Sequence, residues 1–106
     1  MQSYRKAKVL FDNIEAGTIE EVEGGYRFSY NSEYVKTGKQ LSVSLPLRDT
    51  SFESKTLFSF FDGLLPEGWY LDLVSAKLKI DKNDTFGLLI ATCTDTAGAV
   101  SIAEIK

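Results

Sequence analysis

Three carboxylates near the middle of the sequence, Asp62, Glu67 and Asp72, are of a type and spacing that could do chemistry. Carboxylates placed close together can act as general acid and general base. These three flank a predicted helix end and a predicted helix start, where carboxylates commonly cap the backbone and remain solvated. We favour capping and solvation, and keep a binding or catalytic role as the alternative.

The sequence contains no histidine and one cysteine, Cys93. Histidine-based catalysis and histidine metal ligation are therefore absent, and one thiol forms neither an internal disulfide nor a structural zinc site. We predict that Cys93 is a small core residue and not a nucleophile, because no histidine can activate it. The spacing of Asp81, Asp84 and Asp95 does not match a calcium-binding loop, and the glycines form no phosphate-binding loop. We predict no enzymatic activity, no metal ion and no cofactor.

The charge balance argues against nucleic acid as a direct partner. The 106 residues carry 12 Lys and Arg against 15 Asp and Glu, a net charge of −3, whereas phosphate binding needs a concentrated basic face. The one basic cluster, Arg5, Lys6 and Lys8, is interpreted as a solvated strand edge in preference to a DNA contact. No apolar run approaches the length of a membrane span and the N-terminus is unlike a signal peptide, so we expect no membrane partner and a cytoplasmic protein.

Alternating hydrophobicity predicts strands in the first half of the chain and one at its end. Asp12-Asn13 and Gly24-Gly25 are predicted turns, the second a hairpin with positive φ angles. Pro46 cannot donate to a ladder, so its strand must end there or lie at an edge. The predicted strands are Lys8–Phe11, Gly17–Val22, Tyr26–Tyr30, Leu41–Leu47 and Ala99–Ile105.

Helical periodicity follows in the second half. A first helix covers 57–65 with Gly63 as its C-terminal stop, and a second begins at Pro66 and runs to about Lys79. Asp84 is expected to cap a third helix through Ile90, with a loop at 94–98. Asn83-Asp84-Thr85 fits a glycosylation triplet but is interpreted as this helix start. The prediction is a single α+β domain over residues 1–106: an antiparallel sheet packed with two to three short helices.

The second predicted helix has apolar residues on two opposite sides. Leu71, Val74, Ser75 and Leu78 form one stripe, and Trp69, Leu73, Ala76 and Ile80 form the other. A helix that is apolar on two sides is either sandwiched or waiting for a partner. Trp69 could be a lid on the core, but we favour an exposed anchor, since tryptophan is enriched at interface hot spots.

Four ordered segments resemble a known family. FFDGLLPEG at 60–68 resembles the pattern FF-x-N-LLP-[DE]-G, from which it departs at Asp62-Gly63, and LSVSLPL at 41–47 resembles S-L-S-L-P-L. DTFGLL at 84–89 and DTAGAV at 95–100 resemble D-x-F-x-L-L and D-x-x-G-A-[LV]. These patterns belong to the N-terminal region of HipA-type serine/threonine kinases, the toxins of bacterial toxin–antitoxin systems.

The resemblance implies a fold like the HipA N-terminal subdomain. No kinase motif for metal or phosphate binding occurs in this sequence, so it implies the stand-alone form of that lobe found in HipBST-type systems. There, a HipS-like antitoxin neutralises a truncated HipT-like kinase, and a HipB-like helix-turn-helix protein binds the operator. The expected partners are thus a HipA-like or HipT-like kinase and, through the complex, a HipB-like protein.

The predicted partner-binding residues lie on the turn and the second helix: Asp62, Gly63, Glu67, Gly68, Trp69, Tyr70 and Leu73. They are expected to insert near the kinase active site and neutralise the enzyme. The alternative is an activating or assembly subunit that completes such a kinase without inhibiting it.

Overall fold

A five-stranded sheet organises the chain, and every strand pair in it is antiparallel. The computed structural model describes residues 4–65, 68–92 and 100–105, with the side chains of Thr37 and Trp69 left out. The strands, in the spatial order β4-β3-β2-β1-β5, are β1 Lys6–Phe11, β2 Ile14–Val22, β3 Gly25–Tyr30, β4 Phe52–Ser54 and β5 Val100–Ile105. The helices are α1 Ser32–Thr37, α2 Ser59–Asp62, α3 Gly68–Leu78 and α4 Thr85–Thr92. The predicted α+β class is confirmed.

One face of the sheet forms the core and the other faces solvent. Val9, Ile19, Phe28 and Ile102 alternate inward along their strands and are fully buried, as expected for period-two patterning. The opposite face carries cross-strand ion pairs such as Arg27 with Glu20 and Glu53. Exposed pairs of this kind contribute little to stability. The burial of one apolar face therefore fixes strand register.

An aromatic cluster joins the sheet to the helices. The ring of Phe28 lies 4.9 Å from that of Tyr30, 6.2 Å from Phe52 and 5.5 Å from Phe61, measured between centroids. Phe61 lies on α2 and is fully buried. Tilted and edge-on aromatic pairs at these separations add to the stabilisation from buried area. The cluster thus fixes α2 against the sheet.

The two tight turns differ in the number of residues that have positive φ angles. Asp12 and Asn13 both have positive φ, at 53° and 67°, which is the geometry that suits a two-residue hairpin. In the second hairpin only Gly24 has positive φ, at 82°. The expectation of positive φ at Gly25 is wrong: this residue begins β3, and a Cβ there would clash with the carbonyl oxygen of Ser54. Gly25 serves the close approach of β4.

The strand predicted over Leu41–Leu47 is wrong. Leu41 and Leu45 are buried, but Val43 is 88% exposed, and a tight turn joins Ser42 to Leu45 with a 3.0 Å backbone hydrogen bond. The short strand β4 takes the sheet edge instead. The Tyr30 hydroxyl fixes this turn, because it donates to the Leu45 carbonyl and accepts from the Leu41 amide at 3.0 Å.

The helices lie close to their predicted positions, and α1 was not predicted. Asn31 caps α1, since its side chain accepts the Glu33 amide proton at 3.1 Å. α2 is shorter than predicted: it ends at Asp62, and Gly63, the expected stop, is its C-cap. α3 ends at Leu78, followed by Lys79 at a φ of 58°. Cys93 and the predicted loop at 94–98 lie outside the described residues.

The prediction that the basic cluster of Arg5, Lys6 and Lys8 lies at a strand edge is wrong. β1 pairs with β2 on one side and with β5 on the other. The Arg5 guanidinium instead joins Glu21, at 2.8 Å, to Asp84, at 2.6 Å. Asp84 also caps α4 by accepting the Gly87 amide proton at 3.1 Å, as the sequence predicted. The three residues tie β2 to the start of α4.

This cluster makes stability depend on pH. Hydrogen bonds from Arg5 lower the pKa of Glu21 and that of Asp84. Carboxyls with lowered pKa values stabilise the fold above their unfolded pKa, about 4, and lose that contribution as the pH falls through the folded pKa. We expect Arg5→Gln to lower the free energy of unfolding at pH 7 and to flatten its fall below about pH 4. Urea unfolding across pH measures this.

Lys36→Gln is the control, because its ion pair with Glu33 is exposed on both sides. If the free energy of unfolding of Arg5→Gln fell below about pH 4 as steeply as that of the unsubstituted chain, the cluster would not couple stability to pH.

Removal of the Tyr30 hydroxyl tests the turn at 42–45. In Tyr30→Phe the buried Leu41 amide and the Leu45 carbonyl lose their partner, so we expect a loss of about 1–3 kcal/mol. Tyr4→Phe, at an exposed tyrosine, is the matched control and should be neutral. Equal urea midpoints for the two variants would contradict this role of Tyr30.

Candidate functional site

The burial of Phe61 forces Asp62 and Gly63 outward. Phe61 is fully buried, whereas the two residues that follow it are exposed. The Asp62 amide donates to the Phe58 carbonyl at 2.9 Å, and the Gly63 amide to Ser59 at 3.0 Å. The structure therefore places both predicted site residues on the surface at the end of α2.

Gly68, the first residue of α3, has a left-handed backbone conformation. Its φ is 57°, and a Cβ built on it meets nothing within 4 Å. The left-handed region costs an L-residue with a side chain roughly 1–2 kcal/mol. Glycine is needed here for its backbone angle and not for space.

The described side chains of α3 divide into two sides. Leu71 and Val74 are partly buried, and Ser75 is 8% exposed. Outward lie Tyr70, 54% exposed, Leu73, 53% exposed, and Ala76. We call Tyr70, Leu73 and Ala76 the outer face of α3. Tyr70 and Leu73 are three positions apart, so these two large apolar side chains are neighbours on the helix surface.

Two members of the predicted stripes lie elsewhere. Leu78, predicted on the inner stripe, is 45% exposed, and Ile80, predicted on the outer stripe, is partly buried beyond the helix end. The reason is the end of the helix: Lys79 adopts positive φ and the Ile80 amide donates back to the Ser75 carbonyl at 3.0 Å. This bond is the 6→1 bond of a Schellman motif, which turns the chain out of the helical period.

Two predicted site residues lie outside the described part of the protein. Glu67 belongs to the omitted segment 66–67, and of Trp69 only the position in the first turn of α3 is described. Their roles remain predictions.

A groove of about 520 Å³ opens beside Asp62 and Gly63. Its other walls come from β3, the loop after β4, α2 and the start of α4. They are Tyr26, Lys55, Thr56, Leu57, Ser59 and Thr85. Sequence reasoning missed Lys55 and Tyr26, since only the folded sheet brings them to Asp62, and no local motif marks them.

The described residues were compared with the requirements of a metal site and of a membrane-spanning helix. Among these residues, no group of three or more Cys, Asp or Glu could hold a metal ion. Within 4–65, 68–92 and 100–105, no helix is long and apolar enough to cross a membrane.

Comparison with known proteins decides the family. The sequence profile described as "HipA N-terminal domain" matches residues 7–103. The chain belongs to the HipA N-terminal domain family. A solved structure, "N-terminal domain of HipA toxin", superposes with a TM-score of 0.77 at 30% identity, covering 100% of this chain and 97% of that one. The expected fold is confirmed.

Relatives of two lengths share this domain. An uncharacterized protein of Haemophilus influenzae is 37% identical over 96% of this chain and 94% of its own length. The serine/threonine-protein kinase toxin HipA of Shewanella oneidensis is 36% identical over 68% of this chain but only 16% of the kinase. In a solved complex of Shewanella oneidensis MR-1 HipA, HipB and operator DNA, the match has 27% identity and a TM-score of 0.77 over 92% of this chain and 23% of that one. The chain therefore spans under a quarter of these two HipA chains.

Gly68, the last residue of the HipA-family signature, tests the entry into α3. We expect Gly68→Ala to lower the free energy of unfolding by roughly 1–2 kcal/mol, because alanine is strained at positive φ. Gly63→Ala is the matched control, since its φ is −67° and a Cβ would make ordinary contacts of 3.4 and 3.6 Å. Urea unfolding of both variants measures the difference. Equal stability would show that the backbone at Gly68 can relax without cost.

Proposed function

We propose that this chain is an antitoxin that binds and neutralises a HipA-like serine/threonine kinase. The observation that carries the proposal is the outer face of α3: two large apolar side chains are more than half exposed on a domain that forms a small part of HipA kinases. In this proposal a separate kinase chain packs against the outer face of α3.

The charge of the chain supports a protein partner. A net charge of −3 opposes direct binding to a phosphate backbone. Aromatic and leucine side chains on one helix face are typical anchors for a groove in another protein. The proposed contact is therefore made by α3 and the turn before it, with Trp69, Glu67 and Gly68 at its start.

Neutralisation follows if the chain binds one kinase conformation better than another. A ligand shifts a conformational equilibrium only by its difference in affinity for the two states. A shift from 1:99 to 99:1 needs about 5.5 kcal/mol, and a buried tryptophan at an interface centre commonly contributes about 2 kcal/mol or more. We propose that α3 docks beside the kinase active site and favours a state that does not close on ATP.

An activating or assembly role is the second candidate. The solved Shewanella oneidensis complex contains HipA together with HipB and operator DNA. The related domain of that HipA is therefore part of a larger assembly. In this role the chain completes a kinase, and a HipB-like protein joins through the kinase. Kinase autophosphorylation with and without added chain separates the two functions, because inhibition and stimulation have opposite signs.

Substitution of Leu73 tests the outer face of α3. We expect Leu73→Glu to weaken kinase binding at least tenfold, because a charge would be buried at the interface centre. Its unfolding midpoint should stay close to that of the unsubstituted chain, since the side chain is exposed. Val43→Glu, at an exposed apolar residue far along the chain, is the matched control. Titration calorimetry measures both variants, and equal affinities would remove α3 from the interface.

Trp69 is tested in cells. Co-expression of Trp69→Ala with the cognate kinase should fail to restore growth, while the unsubstituted chain restores it. Full rescue by the variant would remove the indole from the mechanism.

A further inference from the structure

A second surface, separate from α3, has a regular charge pattern. A cavity of about 280 Å³ between the β2–β3 hairpin and β4 is lined by Glu23 and Lys55, among others. The 520 Å³ groove beside Asp62 is also lined by Lys55. Tyr26 also lines both, so the two cavities adjoin on the surface at Tyr26 and Lys55. We call the two adjoining cavities together the Lys55 channel.

Four charged residues line this channel: Glu23, Glu53, Lys55 and Asp62. Glu23 lines only the first cavity, Asp62 only the second, and Lys55 both. None of the three has an ion pair or side-chain hydrogen bond with another described residue, whereas Glu53 beside them is paired with Arg27 at 3.1 Å. The surface therefore presents negative, positive and negative charges that the described protein does not neutralise.

We propose that the Lys55 channel binds an extended segment of the partner kinase in which two basic side chains flank an acidic one. The inference rests on the proposed function and adds a second contact to it. Acidic groups on both sides of a single lysine disfavour a polyanion such as nucleic acid. Hydroxyls of Ser54, Thr56 and Ser59 along the walls can pair with the backbone or side chains of such a segment.

The channel and α3 can face the same partner. Gly63 lines the channel and Gly68 begins α3, and five residues span at most about 18 Å. A standard protein interface buries about 800 Å² on each side. One kinase can therefore cover both surfaces, with apolar anchoring at α3 and charge matching at the channel. Complementary charge fixes orientation and discriminates between partners.

Charge reversal tests the channel. The affinity of the purified chain for the HipA-like kinase is measured for Lys55→Glu and for Asp62→Lys, at low and at high salt. We expect each reversal to weaken binding by about tenfold at low salt, because a like charge replaces a complementary one, with a smaller effect at high salt. Lys39→Glu and Asp49→Lys are the controls, since both residues are exposed and lie outside the channel.

The outcomes separate this inference from the proposed function. If reversals in the channel change affinity less than twofold while Leu73→Glu abolishes binding, the channel proposal is overturned and the α3 interface stands. If the unsubstituted chain does not bind the kinase, both proposals fall. If the reversals instead abolish self-association in sedimentation, the occupant is a second copy of this chain, and the assignment to the kinase is wrong.

Discussion

The packing of Phe61 against Phe28 is the contact on which the arrangement of the site depends. The two rings lie 5.5 Å apart and neither side chain is exposed. A helix as short as α2 is not stable by itself, so its place comes from this packing. Because Phe61 points into the core, Asp62 and the glycine after it must lie on the surface. The core contact thereby fixes the end of α2 and the exposure of the two residues there.

The protein separates its stabilising side chains from its exposed ones. The apolar face of the sheet and the aromatic cluster are buried, while the Arg5 cluster ties the sheet to α4 at the rim. The large apolar side chains of the outer face of α3 lie outside the core cluster. Residues that stability does not require can be changed with little effect on the fold. This division allows binding and folding to be measured separately.

The HipA family gives the exposed helix a context. The same domain occurs in relatives of about this length and within kinases several times longer. A domain within a longer chain can cover an apolar helix face by packing against the rest of that chain, whereas a separate chain covers it only by association. Association costs translational and rotational freedom that a covalent link does not. An apolar anchor together with a matched charge pattern would offset that cost.

Local sequence signals predicted the helices α2, α3 and α4, which lie around the candidate site. Asp84 as a helix cap, Gly63 as a stop, and the two-sided pattern of α3 all depend on residues within a few positions of one another. Contacts between distant residues were decided only by the tertiary structure. Period-two alternation predicted a strand at 41–47, but the hydroxyl of Tyr30 holds that segment as a turn. Arg5 joins Asp84 across 79 positions, and Lys55 and Asp62 line one groove only because β3, α2 and the start of α4 come together. Contacts between residues so distant in the sequence cannot be predicted from their spacing, because they form only when one face of the sheet is buried.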